Sequence, residues 1–145
     1  MLLVLVVWNR THFAAGTLSP QNQALPKVEV SVTATSSLPP LNQPAVEITS
    51  VIVPGDLQSE RVLIRSVSTS TLNLTGWKVS NGKGQVFTFP SLTLFPGGAI
   101  ALYSRSGLNT ANEIYWGLNQ AAWSNGAGVT ISDYAGNVRA EYTIP

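Results

Sequence analysis

From Ala45 to the end, the chain is a series of short apolar runs with polar residues interleaved. The runs are Val46–Val53, Glu60–Val67, Trp77–Ser80, Gln85–Phe89, Ala99–Ser104, Glu113–Trp116, Gly128–Ser132 and Val138–Thr143. Val, Ile, Thr, Phe and Tyr fill them, and turn residues separate them: Pro54-Gly55-Asp56, Asn81-Gly82, Pro96-Gly97-Gly98, Asn125-Gly126 and Ala135-Gly136-Asn137. No stretch after Ala45 places apolar residues at a helical period. This spacing predicts an all-β domain, an antiparallel β-sandwich of immunoglobulin type. Within the runs, alternation puts Val62 and Ile64 on one face and Arg61, Leu63 and Arg65 on the other, so the arginines look outward. Trp77 shares a face with Val79, and Phe87 with Phe89, and these aromatics are the expected core anchors. Asn81-Gly82 suits a tight hairpin turn, whose central positions favour positive φ.

Upstream the texture differs. Residues 1–16 open with Met-Leu-Leu-Val-Leu-Val-Val-Trp, followed later by the small residues Ala14-Ala15-Gly16. Eight apolar residues are too few to span a bilayer. A short signal peptide, the end of a membrane anchor and a buried strand all fit the run, and export or anchoring is the preferred reading because a spacer follows. Residues 17–44 form that spacer, with Pro20, Pro26, Pro39, Pro40 and Pro44 among Ser, Thr, Gln and Asn. Such a stretch buries too little apolar surface to offset its ordering entropy and reads as a disordered linker. The domain is expected over 45–145, with membrane contact only through the N-terminal segment.

Composition narrows the chemistry. Charged residues are 10% of the 145, far below the usual quarter, while hydrophobic residues are 44%. That balance excludes disorder of the whole chain. With no cysteine, disulfides, thiol nucleophiles and thiolate metal sites are ruled out. The single histidine, His12, lies beside the apolar N-terminus, so a Ser-His-Asp arrangement has no base in the domain. The domain's acids (Glu47, Asp56, Glu60, Glu113, Asp133, Glu141) are scattered, with Glu60 and Glu113 read as exposed partners of Arg61, Arg65 or Arg105. Asp133 is the best calcium candidate, but an acid at that position more often starts a hairpin turn through its own side chain, and the turn is preferred. No catalytic residue, metal site or cofactor is assigned. Bases and acids of the domain balance, so nucleic acid, which needs a phosphate-neutralising field, is not favoured. Arg61, Arg65 and Lys78 form the one candidate basic patch.

Four stretches resemble lamin tail domains, in the family's order. Leu74-Thr75-Gly76-Trp77-Lys78-Val79 is similar to the Leu-x-Gly-Trp strand. Glu60-Arg61-Val62-Leu63-Ile64 is similar to a Glu-x-Val-x-Leu/Ile strand. Phe87-Thr88-Phe89-Pro90 and Leu94-Phe95-Pro96-Gly97-Gly98 resemble the Phe-x-Phe-Pro and Leu-x-Pro-Gly segments. Trp123-Ser124-Asn125, Val129-Thr130-Ile131-Ser132-Asp133 and Gly136 resemble the last hairpin. The resemblance implies an immunoglobulin-like sandwich without a catalytic centre, and bacterial members share the layout of signal or anchor, linker and domain. No heptad pattern occurs, so filament assembly does not carry over. One departure is Ala127-Gly128, where members often carry an acid, and any ligand role of that acid does not carry over.

The remaining candidate site is aromatic. Tyr115 and Trp116 precede a polar loop holding Asn119 and Gln120, and Trp123 and Asn125 follow it. Aromatic rings beside amides suit contact with a sugar face or a protein. A core place is nevertheless the preferred reading of the cluster, because buried Trp is the commoner fate in small sandwiches and the resemblance implies that at least one of Trp116 and Trp123 is core. The expected function is a non-catalytic recognition or adhesion module displayed outside the cytoplasm, secreted or membrane-anchored, with a protein or cell-surface polysaccharide as partner. Two alternatives stay open: a nucleic-acid-binding or targeting domain accessory to a secreted nuclease or hydrolase, and a structural self-assembly module.

Overall fold

The computed structural model describes residues 37–145. The expectations for residues 1–16, for His12 and for most of the linker lie outside the described residues. Ten strands are present: β1 (Val46–Ile52), β2 (Arg61–Ser66), β3 (Leu72–Asn73), β4 (Lys78–Ser80), β5 (Val86–Thr88), β6 (Thr93–Leu94), β7 (Ala99–Tyr103), β8 (Glu113–Tyr115), β9 (Gly128–Ser132) and β10 (Val138–Thr143). One sheet runs β1-β2-β7-β8, a second runs β10-β9-β4-β5, and β3 and β6 form a small ribbon. The fold is the all-β immunoglobulin-like sandwich that the alternation predicts. Every expected strand is found, trimmed by at most one residue at an end. The ribbon β3–β6 is the addition, too short to show a period of two.

Alternation builds the core. Val62, Ile64, Ile100, Leu102 and Ile114 face inward from the first sheet, against Trp77, Val79, Phe87, Val129 and Ile131 from the second. Phe87 and Phe89 meet edge to face at 5.1 Å, a favourable arrangement of ring quadrupoles. In β1 the alternation breaks at Thr49–Ser50. A bulge between Ile48 and Ser50 absorbs the extra residue and sets Val51 opposite Val62, keeping the apolar side inward. A second bulge, between Val138 and Ala140, leaves Arg139 outside the ladder. Its side chain is only 3% exposed, lies over the Trp77 ring at 5.8 Å and donates from Nε to Asp133 Oδ2 at 2.7 Å.

Two expectations change. The sheets are not wholly antiparallel, because β7 and β8 pair in parallel. The return over residues 104–112 suffices because both strands are short and the chain retreats only two residues along the strand. Asn81-Gly82 is not a two-residue hairpin turn either. Gly82 and Gly84 have positive φ but Asn81 does not. The loop is longer, and the buried Asn81 side chain organises it by accepting from Lys83 N and Gln85 N.

The inner rows of several strands end in buried polar side chains. Glu60, 0% exposed, continues the Val62–Ile64 row. Its Oε1 accepts from Ala122 N at 2.6 Å and its Oε2 from Gly55 N at 3.0 Å. The expectation of an exposed Glu60 paired with an arginine is therefore corrected: its position shares the inward parity of Val62 and Ile64, and its partners are backbone. Asn81 donates to the carbonyl of the same Ala122. At the other end of the sandwich, Asp133 accepts from Ala135 N, Asn137 N and Arg139, so it forms the turn expected of it. The last residues of the linker region pack there: Leu38 touches the core and the Pro40 carbonyl accepts from Arg139 Nη1.

Replacing Glu60 by Gln turns one of two buried acceptors into a donor facing an N–H. Urea unfolding is expected to show a loss of about 1–3 kcal/mol for Glu60→Gln, and less than about 0.5 kcal/mol for Glu141→Gln on the surface. Burial alone raises the Asp133 pKa, but hydrogen bonds from Asn137 and Arg139, with the arginine's charge, outweigh it and hold the carboxyl below its ordinary 3.8. A depressed carboxyl pKa stabilises the fold above the unfolded value, and that stability is lost as pH falls through the folded value. The fall in thermal stability below about pH 4 is therefore expected to be shallower in Asp133→Asn than in wild type.

Candidate functional site

The outer face of the β1-β2-β7-β8 sheet concentrates the chain's accessible recognition chemistry. Arg61, Leu63 and Arg65 point outward from β2, where their inward neighbours are the buried Val62 and Ile64. Pairing sets Arg61 opposite Tyr103 and Tyr103 beside Tyr115, so the three form one row across the sheet. The two tyrosine rings stack at 5.0 Å, 13° from parallel. Arg105 lies over both, with Cζ at 5.1 Å from the Tyr103 centroid and 5.0 Å from that of Tyr115, while Arg61 Cζ is 5.5 Å from Tyr103. Guanidinium over an aromatic face is favourable through the ring quadrupole.

The loops lock this arrangement. Arg61 Nη1 donates to the Ser59 carbonyl, Arg105 Nε to the Gln58 carbonyl and Arg105 Nη1 to the Ser106 carbonyl. The loop before β2 is in turn tied to Glu60, through Gly55 N and the bond from Glu60 N to the Asp56 carbonyl. A Cβ on Gly107 would sit 2.3 Å from a Tyr115 ring carbon, so the 104–112 loop passes directly against the ring. Among the described residues the ion pairs are Arg65–Glu47 and Arg139–Asp133, which leaves Arg61 and Arg105 with no paired carboxylate. Next to the row, a shallow groove of about 280 Å3 is lined by Leu63, Ala99, Ala101, Thr49, Asn112 and Arg65, among others. The outer edge of β8 is occupied by its own loop: Glu113 N donates to Thr110 Oγ1, Tyr115 N to Asn109 Oδ1, and the Glu113 carbonyl accepts from Thr110 N.

The sequence-derived aromatic cluster is divided by the fold. Tyr115 joins the outer row, and its ring hydroxyl donates to Glu113 at 3.3 Å. Trp116, next in the chain, turns inward and is half-buried, 5.8 Å from Phe87 and 6.0 Å from Trp123. Trp123 is 2% exposed. Its assignment as a ligand-binding residue is corrected: it is a core residue that closes the sandwich beside Trp116 and Phe87. Asn119, Gln120 and Asn125 are exposed on the connecting loops. The basic patch is divided as well. Arg61 and Arg65 lie on one sheet and Lys78 on the other, and Glu47 neutralises Arg65 at 2.7 Å. Tyr103 and Arg105 were not singled out by the sequence. Tyr103 follows Ala99 and Ala101 on the outward parity of β7, but its neighbour Tyr115 comes from a parallel pairing that alternation does not reveal.

At the opposite end, a cavity of about 470 Å3 lies between the 67–75 loop, the segment entering β1 and Tyr134. Its polar groups include Thr69, Thr71, Asn73 and Gln43, and no charged residue lines it. Among the described residues, no three acids or histidines gather as metal ligands, and no helix is long and apolar enough to cross a membrane. Asp133 is 0% exposed and spends its oxygens on its own turn and on Arg139.

The corrected role of Trp123 has a clear consequence. Trp123→Ala is expected to cost about 3–5 kcal/mol in chemical unfolding, whereas Asn119→Ala changes stability by less than about 0.5 kcal/mol. Gly107→Ala is expected to displace the Tyr115 ring, seen as altered ring-proton shifts for Tyr103 and Tyr115 while core resonances stay in place.

No curated protein sequence matches the chain. A family model, that of the Lamin Tail Domain, matches residues 39–145, beginning six residues before the Ala45 expected from composition and taking in the Pro40 carbonyl that Arg139 holds. The match spans both sheets, the Trp77–Arg139–Asp133 core and the arginine–tyrosine row alike, and this chain belongs to the lamin tail domain family.

Proposed function

We propose that the protein is a non-catalytic recognition module, displayed outside the cytoplasm, that binds a partner protein through the outer face of its β1-β2-β7-β8 sheet. The family is one of immunoglobulin-like β-domains not known as catalytic. The observation that carries the reading is the Arg61–Tyr103–Tyr115 row with Arg105 over it. Tyr and Arg concentrate binding energy at protein interfaces because they combine large apolar area with directional donors. Here two arginines of a charge-poor domain lie on the same ring, with no carboxylate partner among the described residues. Display outside the cytoplasm rests on the apolar 1–16 segment and the proline-punctuated stretch after it.

A glycan partner is the second reading, and the uncharged cavity beside Tyr134 favours it. Hydroxyls and amides at a concave surface match the hydroxyls of a neutral sugar. Two observations bear on the other readings. The bases are dispersed over both sheets, which leaves no track for a phosphate backbone. The β8 edge is covered by its own loop and β5 is three residues long, which leaves β1 and β10 as the edges open to strand addition.

The test is retention of the full chain on envelope fragments of the source cell, with and without protease treatment of the fragments. Protease-sensitive retention that falls about tenfold in Arg105→Gln is the expected result. Retention that survives protease and falls in Tyr134→Ala instead would favour the glycan reading. Retention only on DNA, lost steeply as salt rises, would replace both with nucleic-acid binding.

A further inference from the structure

We propose that the partner protein docks on this face with a carboxylate side chain on Arg61 and Arg105 and an aliphatic side chain in the adjoining groove, about 7 Å apart, the spacing of residues i and i+2 on one strand. The inference rests on the recognition reading above and names the chemistry of the partner.

Charge selects a carboxylate for the two arginines. Both guanidinium carbons lie near the same Tyr103 ring, at 5.5 Å for Arg61 and 5.1 Å for Arg105. A guanidinium carries five N–H donors. Arg61 uses one, toward Ser59, and Arg105 uses two, toward Gln58 and Ser106. Most of their donors therefore remain for a ligand, and neither charge has a carboxylate partner among the described residues. Two like charges on one ring raise the local positive potential, and an anion placed on them relieves it. Arginine's fork matches the two oxygens of a carboxylate. The three backbone carbonyls hold the forks in place beforehand, and the contact of Gly107 with the Tyr115 ring fixes the stack. Docking therefore orders few side chains, which favours affinity.

Shape selects an aliphatic side chain beside it. The groove floor is Ala99, Ala101 and Leu63, with Thr49 and Asn112 at the rim. Ala101 precedes Tyr103 by two residues on the same face of β7, which places the groove one side-chain step from the arginines. Its volume, about 280 Å3, accommodates one aliphatic side chain. Arg65 lines the groove as well, and its charge is already neutralised by Glu47. The face thus offers one anion site and one apolar site, whereas a polyanionic glycan or nucleic acid would call for a longer run of unpaired bases. Because the β8 edge beside Tyr115 is occupied, a partner that reaches the arginines lies across the face and does not pair with β8.

The experiment pans a displayed random peptide library against the full chain, in parallel with Arg105→Gln and Ala101→Leu. Thermal unfolding of each variant checks that it is folded. Enrichment of Asp or Glu two positions from Leu, Ile or Val is expected with wild type. Arg105→Gln should remove the acidic preference and weaken selected peptides about tenfold or more. Ala101→Leu fills the groove and should remove the aliphatic preference while keeping the acidic one. No enrichment, enrichment without acidic bias, or the same sequences selected by Arg105→Gln would overturn the inference. Displacement of selected peptides by polygalacturonate, but not by an acidic peptide of unrelated sequence, would overturn the protein partner in favour of an acidic glycan. The broader recognition reading is judged separately by envelope retention, and either can fail alone.

Discussion

The carboxylate of Glu60 is the point on which one whole end of the sandwich depends. It is fully buried and has no ion-pair partner among the described residues. Taking such a group out of water is costly unless its oxygens are hydrogen-bonded. Two backbone N–H groups meet that need, and each belongs to a different loop: Gly55 before β2 and Ala122 between β8 and β9. Asn81 then holds the other side of the same residue, by donating to the Ala122 carbonyl. One alanine is thus gripped by the first sheet through Glu60 and by the second through Asn81. The 116–127 connection, which crosses between the sheets, is fixed without a disulfide.

The recognition face inherits that order. The loop that Glu60 closes supplies the Gln58 and Ser59 carbonyls that hold Arg105 and Arg61. Ser104, at the end of the β7 inner row, sits in the same layer, donating its N–H to the Glu60 carbonyl and accepting from Leu118 N. The arginine–tyrosine row is therefore built on a hydrogen-bonded platform. The far end has its own buried acid, Asp133, whose partners Asn137 and Arg139 close the β9–β10 turn and connect the incoming chain at Pro40 to the core. The Glu60–Ala122–Asn81 contact links the two sheets, as the B–F disulfide does in antibody domains, whereas Asp133 closes a turn within one sheet.

Much of this is legible in the chain, and the rest has a physical reason for being hidden. Strand positions and the Trp77, Val79, Phe87 and Phe89 anchors follow from alternation alone. The same alternation also marks the buried polar groups. Glu60 extends the row of Val62 and Ile64, Asn81 that of Trp77 and Val79, Ser104 that of Ile100 and Leu102, and Asp133 that of Val129 and Ile131. Reading Glu60 as a surface charge followed residue type where parity pointed inward. The buried Arg139 is less accessible to such reasoning, because a bulge sets its direction and nothing in Val138–Thr143 marks the bulge. The Tyr103–Tyr115 stack is hidden for a third reason. It arises from a parallel pairing of three-residue length, and Arg105 reaches it from beyond the strand end. The site lies where long-range register, not local pattern, decides which side chains meet.

Amide hydrogen exchange at Ala122 tests the account most directly. Ala122 lies in no strand, and its N–H is bonded only to the Glu60 carboxylate. If Glu60 organises this end of the molecule, that amide exchanges only on global unfolding, with the protection of Ile64 and Leu102 in the central strands. Exchange of Ala122 at the rate of the exposed Asn119 would show that the loop opens independently of the core, and would contradict the account.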